Sequence, residues 1–212
     1  MATPARTPYA VAARDLLRET LLDAARTLLA DRPCSSVTMS GVAEVAGVSR
    51  QTLYNEFGSR DEFARAYVLR EVDSFLDAVE QAIDAHAGDP TAALTAALDV
   101  FLTAAADHPL VQSVVSGDSP DSLLPLVTTE GKPVIERAAE RLSAIVVSRW
   151  PQVEEADARL LAEGVARLGV SYAALPSATT DMTAASIATL LGPYIERLVL
   201  GPSGPADVAR PT

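Results

Sequence analysis

The chain has little of what several protein classes require. Its one cysteine, Cys34, excludes an internal disulfide framework and any paired-cysteine chemistry. Two histidines, His86 and His108, do not make up a conventional zinc site with that lone thiol. No run of about 18 apolar residues exists, which excludes a membrane-spanning helix. The first thirteen residues have no apolar stretch of the kind a secretory signal needs, so the cytoplasm is the expected location. There is no glycine-rich phosphate loop, metal-ligand set or nucleophile elbow, and Ser, His and Asp occur at no recognisable spacing. The chain therefore reads as something other than an enzyme, and no cofactor is expected. Alternating strand patterns rich in β-branched residues are almost missing too.

The 212 residues are 49% hydrophobic and 21% charged, which is an ordinary globular composition with enough chain for a sizeable core. The net charge of −11 argues at first against a nucleic-acid partner. It is unevenly spread. Residues 1–70 hold nine arginines against eight carboxylates, a net of +1, and the remainder carries −12. A polyanion can meet the N-terminal third without meeting the rest, although a merely solvated surface would show the same asymmetry.

Apolar spacing predicts an all-α chain. Residues 14–31 place Leu17, Leu21, Ala25, Leu28 and Leu29 on one helical face. Thr38 stands at an N-cap position before a short helix ending near Ala46. Ser49 caps a second short helix reaching about Glu56. Ser59 and Glu62 form a capping box that opens a long helix over about 60–87. Further helices are expected near 91–106, 132–150, 154–175 and 181–200, with short ones over 109–116 and 121–129. Gly192-Pro193 predicts a kink in the last. Residues 1–13 read as a flexible arm and 201–212 as a flexible tail. Cys34, in the loop before Thr38, fits either a small buried residue or a redox-sensitive thiol.

The informative segment is Thr38 to Arg60, TMSGVAEVAGVSRQTLYNEFGSR. It reads as helix, tight turn, helix. Val42, Ala43, Val45 and Ala46 form the apolar side of the first helix, and Ala43 is small enough for a second helix to cross closely. Gly47 stands where the chain turns sharply, in the left-handed conformation glycine adopts without steric cost. Val48, Leu53 and Phe57 supply the apolar side of the second helix. That leaves Ser49, Arg50, Gln51, Thr52, Tyr54 and Asn55 facing mainly outward. They are donors and acceptors suited to phosphates and base edges.

This segment resembles the DNA-binding domain of the TetR family of transcriptional regulators, and the likeness runs from about Leu16 to Phe75. It is carried by Thr38, the turn Ala46-Gly47-Val48-Ser49, the run Thr52-Leu53-Tyr54, Phe57, Ser59 and Arg60. Three features depart from the family pattern. Ser40 and Gly41 stand where many members have charged residues, Gln51 where glycine is common, and Glu56 where His or Tyr is common. A carboxylate beside DNA is repelled, so Glu56 is expected to point aside or pair with Arg60.

The resemblance implies a helix-turn-helix domain over 14–59 and a helical ligand-binding and dimerisation domain over 60–200, joined by the long helix. It implies that Thr38, Tyr54 and Arg60 touch phosphates. Arg50 and Gln51 are the candidates for base edges, and Asn55 for phosphate or base. Arg6 and Arg14 fit either an arm that extends the contact or, the favoured reading, a disordered tail. The C-terminal domain is expected to hold a mainly apolar effector, with Phe75, Phe101, Val111, Val115, Leu124, Val127, Ile145, Leu168 and Tyr172 as lining candidates. His108, Trp150 and Tyr172 are the candidates with a polar edge. The last two helices, carrying Leu161, Val165, Ile187, Leu191 and Tyr194, are expected to form a homodimer interface.

The function implied is a ligand-responsive repressor on a palindromic double-stranded DNA operator. An activator or a corepressor-dependent regulator of the same fold is the alternative. A helical small-molecule-binding protein or an enzyme is the alternative of a different class.

Overall fold

The computed structural model describes residues 9–32, 36–108, 131–174 and 184–201. Among them are eight helices and no strand. They are α1 (Tyr9–Asp31), α2 (Met39–Val45), α3 (Arg50–Phe57), α4 (Arg60–Ala85), α5 (Pro90–Asp107), α6 (Lys132–Arg149), α7 (Glu155–Ala174) and α8 (Ala184–Leu200). None of the described helices is long and apolar enough to cross a membrane. Cys34, the expected short helices over 109–116 and 121–129, and the tail from 202 lie outside the described residues.

Local chemistry sets the boundaries. The hydroxyls of Thr38, Ser49 and Ser59 accept the backbone N–H of Gly41, Thr52 and Glu62, satisfying donors that a helix start leaves open. Asp89 does the same for Thr91 and Ala92, with Pro90 in the first turn of α5. Gly47 has φ of 71° and Gly58 of 79°, so the turns closing α2 and α3 use the left-handed region. One boundary differs from expectation. Helix α1 starts at Tyr9, not near residue 14. Ala10, Ala12 and Ala13 are strong helix formers with no proline among them, so the helix extends into the segment read as an arm. At the other end α8 runs through Pro193 without a break in its span.

The core falls into two main clusters joined by α4. Leu21, Leu28, Val42, Leu53, Phe57, Phe63 and Tyr67 bring α1 to α3 onto the first turns of α4. Val79, Ile83, Leu98, Ile145, Trp150 and Ile187 join the rest of α4 to α5, α6 and α8. Leu76, Ala138 and Ala166 bridge α4, α6 and α7. With 26 residues, α4 is about 39 Å long and belongs to both clusters.

Candidate DNA-binding surface and effector cavity

Helices α2 and α3 form the helix-turn-helix. Val48 donates its N–H to the Ala43 carbonyl at 2.9 Å, closing the turn that Gly47 permits. Gly41 has a limited role: a Cβ there would sit 3.4 Å from Thr38 Oγ1 and 3.7 Å from Leu28 Cδ1, which are ordinary contacts. Leu53 and Phe57 are buried against α1 and α4, and this orients the opposite face of α3 outward.

That face carries the residues singled out for DNA. Ser49, Arg50, Gln51 and Asn55 are exposed, and Thr52 and Tyr54 are half-buried. Arg50 lies over the Tyr54 ring, 5.3 Å from its centroid, and its Nη2 donates to the Tyr54 hydroxyl at 3.4 Å. The stacking holds a long side chain ready, which lowers the entropy lost on contact. Gln51 Nε2 donates to Asn55 Oδ1 at 2.8 Å. Ser49 Oγ and Thr52 Oγ1 are 2.8 Å apart. The Thr38 oxygen accepts from Gly41 at 3.1 Å, so its O–H proton still points elsewhere. Arg60 is exposed in the first turn of α4.

Glu56 points aside, but not toward Arg60. Its carboxylate takes Arg14 at 2.9 Å and Arg18 at 3.5 Å, both from α1, and its side chain is only 8% exposed. Arg18 also lies 4.5 Å over the Phe57 ring. Arg14 therefore sits within α1 and neutralises Glu56, and does not act as a free arm. Arg6 lies outside the described residues.

Between α4, α5, α6 and α7 lies a cavity of about 180 Å³. Val72, Phe75 and Val79 of α4 face Leu94, Leu98 and Phe101 of α5 across it, with Val134 and Leu142 of α6 and Leu161, Val165 and Gly169 of α7 completing the wall. Along α4 the lining runs from Val68 to Ile83, a length of about 22 Å. At the far end Trp150 is pinned by its Nε1–H to the Ala87 carbonyl at 3.1 Å. Gly169 seats the Phe101 ring: a Cβ at that position would be 3.1 Å from Phe101 Cε1.

Phe75 and Phe101 line this cavity as expected from the sequence, whereas Ile145, Leu168 and Tyr172 do not. Ile145 is buried in the surrounding core, and Leu168 and Tyr172 pack against that core from outside. Val111, Val115, Leu124 and Val127 lie outside the described residues. The residues expected at a dimer face all make contacts within their own chain. Leu161 and Val165 line the cavity. Ile187 is 1% exposed within its own chain and has no surface to offer a partner. Leu191 and Tyr194 are half-buried against the same core. Both helices are apolar on more than one side, and apolarity alone selected their inward faces. The outward large apolar residues described on these helices are Leu160, Leu190 and Leu200, 66–71% exposed.

One buried polar group was missed. Glu71 lines the apolar cavity at 5% exposure and accepts hydrogen bonds from Arg26 at 2.9 Å and from Arg70 at 3.4 Å. His108 Nε2 is 3.0 Å from its other oxygen. Burial works against the charged carboxylate, but the contacts with His108 and Arg26 outweigh it and lower its pKa to about 2. Burial above all, with the Glu71 charge nearby, pushes the neighbouring Tyr67 phenol above its ordinary range. The signal was available in the sequence. Glu71 interrupts the stripe Tyr67, Val68, Val72, Phe75, Leu76, and a charge on a buried stripe demands a partner.

Comparison with known proteins agrees with this geometry. Residues 21–67 match the family described as bacterial regulatory proteins, tetR family, and residues 89–193 match the bacterial tetracyclin repressor C-terminal domain. The HTH-type transcriptional regulator AlkX of Mycobacterium tuberculosis is 41% identical over 192 residues, covering 91% of each chain. The HTH-type transcriptional activator FasR of Mycolicibacterium smegmatis is 36% identical over 88 residues, 42% of this chain and 40% of that one. The crystal structure of the TetR family repressor AlkX from Dietzia sp., implicated in biodegradation of n-alkanes, superposes with a TM-score of 0.77 at 38% identity, covering 86% of this chain and 96% of that one. With a DNA-binding helix-turn-helix and an all-helical C-terminal domain matched over nearly the whole length, the chain belongs to the TetR family of bacterial transcriptional regulators.

Proposed function

We propose that the protein is a ligand-responsive repressor. As a homodimer it binds a palindromic operator in the cytoplasm and is released by a slender apolar molecule. The observation that carries this reading is the apolar cavity along α4, the same helix that supports the helix-turn-helix. A cavity lined by aliphatic and aromatic side chains, its wall residues spread over about 22 Å of α4, suits an unbranched alkyl chain. The n-alkane context of the Dietzia repressor points to the same chemistry.

On the DNA side, the reading assigns base edges to Arg50 and Gln51. Arginine pairs with guanine O6 and N7. The Gln51–Asn55 pair leaves Gln51 Oε1 to accept and Asn55 Nδ2 to donate, a combination that suits adenine. Thr38, Tyr54 and Arg60 are assigned to phosphates, with Ser49 and Thr52 beside them. The exposed faces of α7 and α8, with Leu160 and Leu190, are assigned to the dimer. Two recognition helices then read half-sites about 34–36 Å apart. The activator relative FasR keeps open a second reading, an activator or corepressor-dependent regulator of the same fold, the latter held on DNA more tightly by its ligand.

Selection of bound sequences from a random duplex library tests the reading. The expected result is one palindrome, lost with Tyr54→Ala or Arg50→Ala. No enrichment above background would overturn operator binding by the free protein. Addition of n-dodecane to the selected complex then gives the sign: release supports repression relieved by ligand, and tightening supports the second reading.

A further inference from the structure

An apolar cavity does not by itself need a buried charge, and burying one is costly unless it is paired. Glu71 is paired on two sides that belong to different domains. Toward the cavity, its Oε2 lies 3.0 Å from His108 Nε2. His108 caps the C-terminus of α5, lines the cavity, and packs edge-on against Phe75 with ring centroids 5.1 Å apart. Toward the DNA-binding domain, Glu71 accepts Arg26 of α1 through both oxygens, Oε1 at 2.9 Å and Oε2 at 3.1 Å. Arg70, next to it on α4, donates to the Leu22 carbonyl at 3.0 Å and to Asp23 at 2.7 Å, also on α1. One buried anion thus links the cavity wall to the helix on which α2 rests.

We infer that Glu71 is the coupling residue of the regulator: through Arg26 it transmits the position of His108, and so the occupancy of the cavity, to α1. The inference rests on the reading of the cavity as the effector site. A chain entering beside Phe75 moves the His108 ring that shares its wall. The His108–Glu71 contact then lengthens, the carboxylate shifts its weight onto Arg26 and Arg70, and α1 moves against α2. Linkage makes the effect reciprocal, so DNA held by α3 biases His108 in return.

Two measurements on the full chain test this, one of them without any effector. Hydrogen exchange of α1 amides around Asp23 to Leu29 is compared in wild type, His108→Ala, His108→Gln and Phe101→Ala. Faster exchange in α1 is expected for His108→Ala, with recovery in His108→Gln, which keeps an N–H donor. Phe101→Ala, which opens the same cavity without touching Glu71, is expected to leave α1 unchanged. Equal effects of His108→Ala and Phe101→Ala, or none from either, would overturn the inference.

The second measurement uses n-dodecane as probe. Its binding is read by displacement of an apolar fluorescent dye, and its effect by the affinity for the selected duplex. Wild type is expected to show a response in the range of about 5–150-fold. In Arg26→Met the dye is still displaced but the response falls to within about twofold, a loss of up to nearly all of the 1–3 kcal/mol that such a range represents. Arg26→Lys restores part of it. A full response in Arg26→Met would overturn the inference. If n-dodecane neither binds nor acts on wild type, the effector reading fails, and the exchange experiment alone judges the link between His108 and α1.

Discussion

At Glu71 a buried carboxylate keeps its charge because His108, Arg26 and Arg70 surround it, and the consequence for stability has a definite sign. Its pKa falls from the ordinary 4.5 to about 2 in the folded protein. An acid with a depressed folded value stabilises the fold in full above its unfolded value, and that contribution is lost as pH falls through the folded one. Thermal melting of wild type and Glu71→Gln is expected to show a gap of on the order of 3 kcal/mol at neutral pH. The gap narrows from about pH 4.5 downward and closes near pH 2. A gap independent of pH would show that the side chain acts through its shape alone. Gly41 shows the opposite case of a residue with little at stake: its neighbours leave room for a methyl group, so the glycine answers to no close approach within the chain.

Between elements, α4 and α6 are joined along their exposed edge by a ladder of charges. Arg137 grips Asp73 through two nitrogens, at 2.8 and 3.0 Å. Arg141 reaches Asp77 at 2.8 Å and Glu80 at 3.3 Å, and Arg149 reaches Asp84 at 2.7 Å. The carboxylates follow α4 and the arginines follow α6, so each turn of one helix meets a counter-charge on the other. Exposed pairs are individually weak, and a network does better. Urea unfolding of Arg141→Met is expected to show a loss of about 1 kcal/mol at low salt that shrinks at about 1 M salt. A loss unaffected by salt would assign the effect to packing of the arginine stem. Element boundaries were the most legible part of this structure, because Thr38, Ser49 and Ser59 declare helix starts through hydrogen bonds with near neighbours. The partners of Glu56 were not legible. They lie about forty residues away on α1, and no local pattern reports such a distance.

For the whole molecule, the split between a near-neutral DNA-binding third and a strongly acidic remainder orients the approach to DNA. Affinity for the selected duplex is expected to fall steeply with salt as phosphate contacts release counterions. Arg60→Ala is expected to flatten the slope of log K against log salt by about 1 per protomer. Fluorescence anisotropy across a salt series reads this directly, and an unchanged slope would remove Arg60 from the phosphate contacts. The fold and the outward face of α3 could be read from a short motif because a helix-turn-helix places its residues by local spacing. Cavity and dimer face could not be told apart. Leu161, Val165 and Ile187 are apolar for the sake of their own chain, and an apolar stripe carries no mark of which neighbour covers it.

The bore of the cavity depends on a missing methyl group. Gly169 allows the Phe101 ring to lie back against α7, and a methyl there would meet it at 3.1 Å. The ring also packs edge-on against Phe75, with centroids 5.9 Å apart. An alanine at this one position would press the ring away from α7 by a few tenths of an ångström. On the proposed reading, the gauge of molecule that fits is therefore adjusted at a residue whose own side chain is a single hydrogen atom.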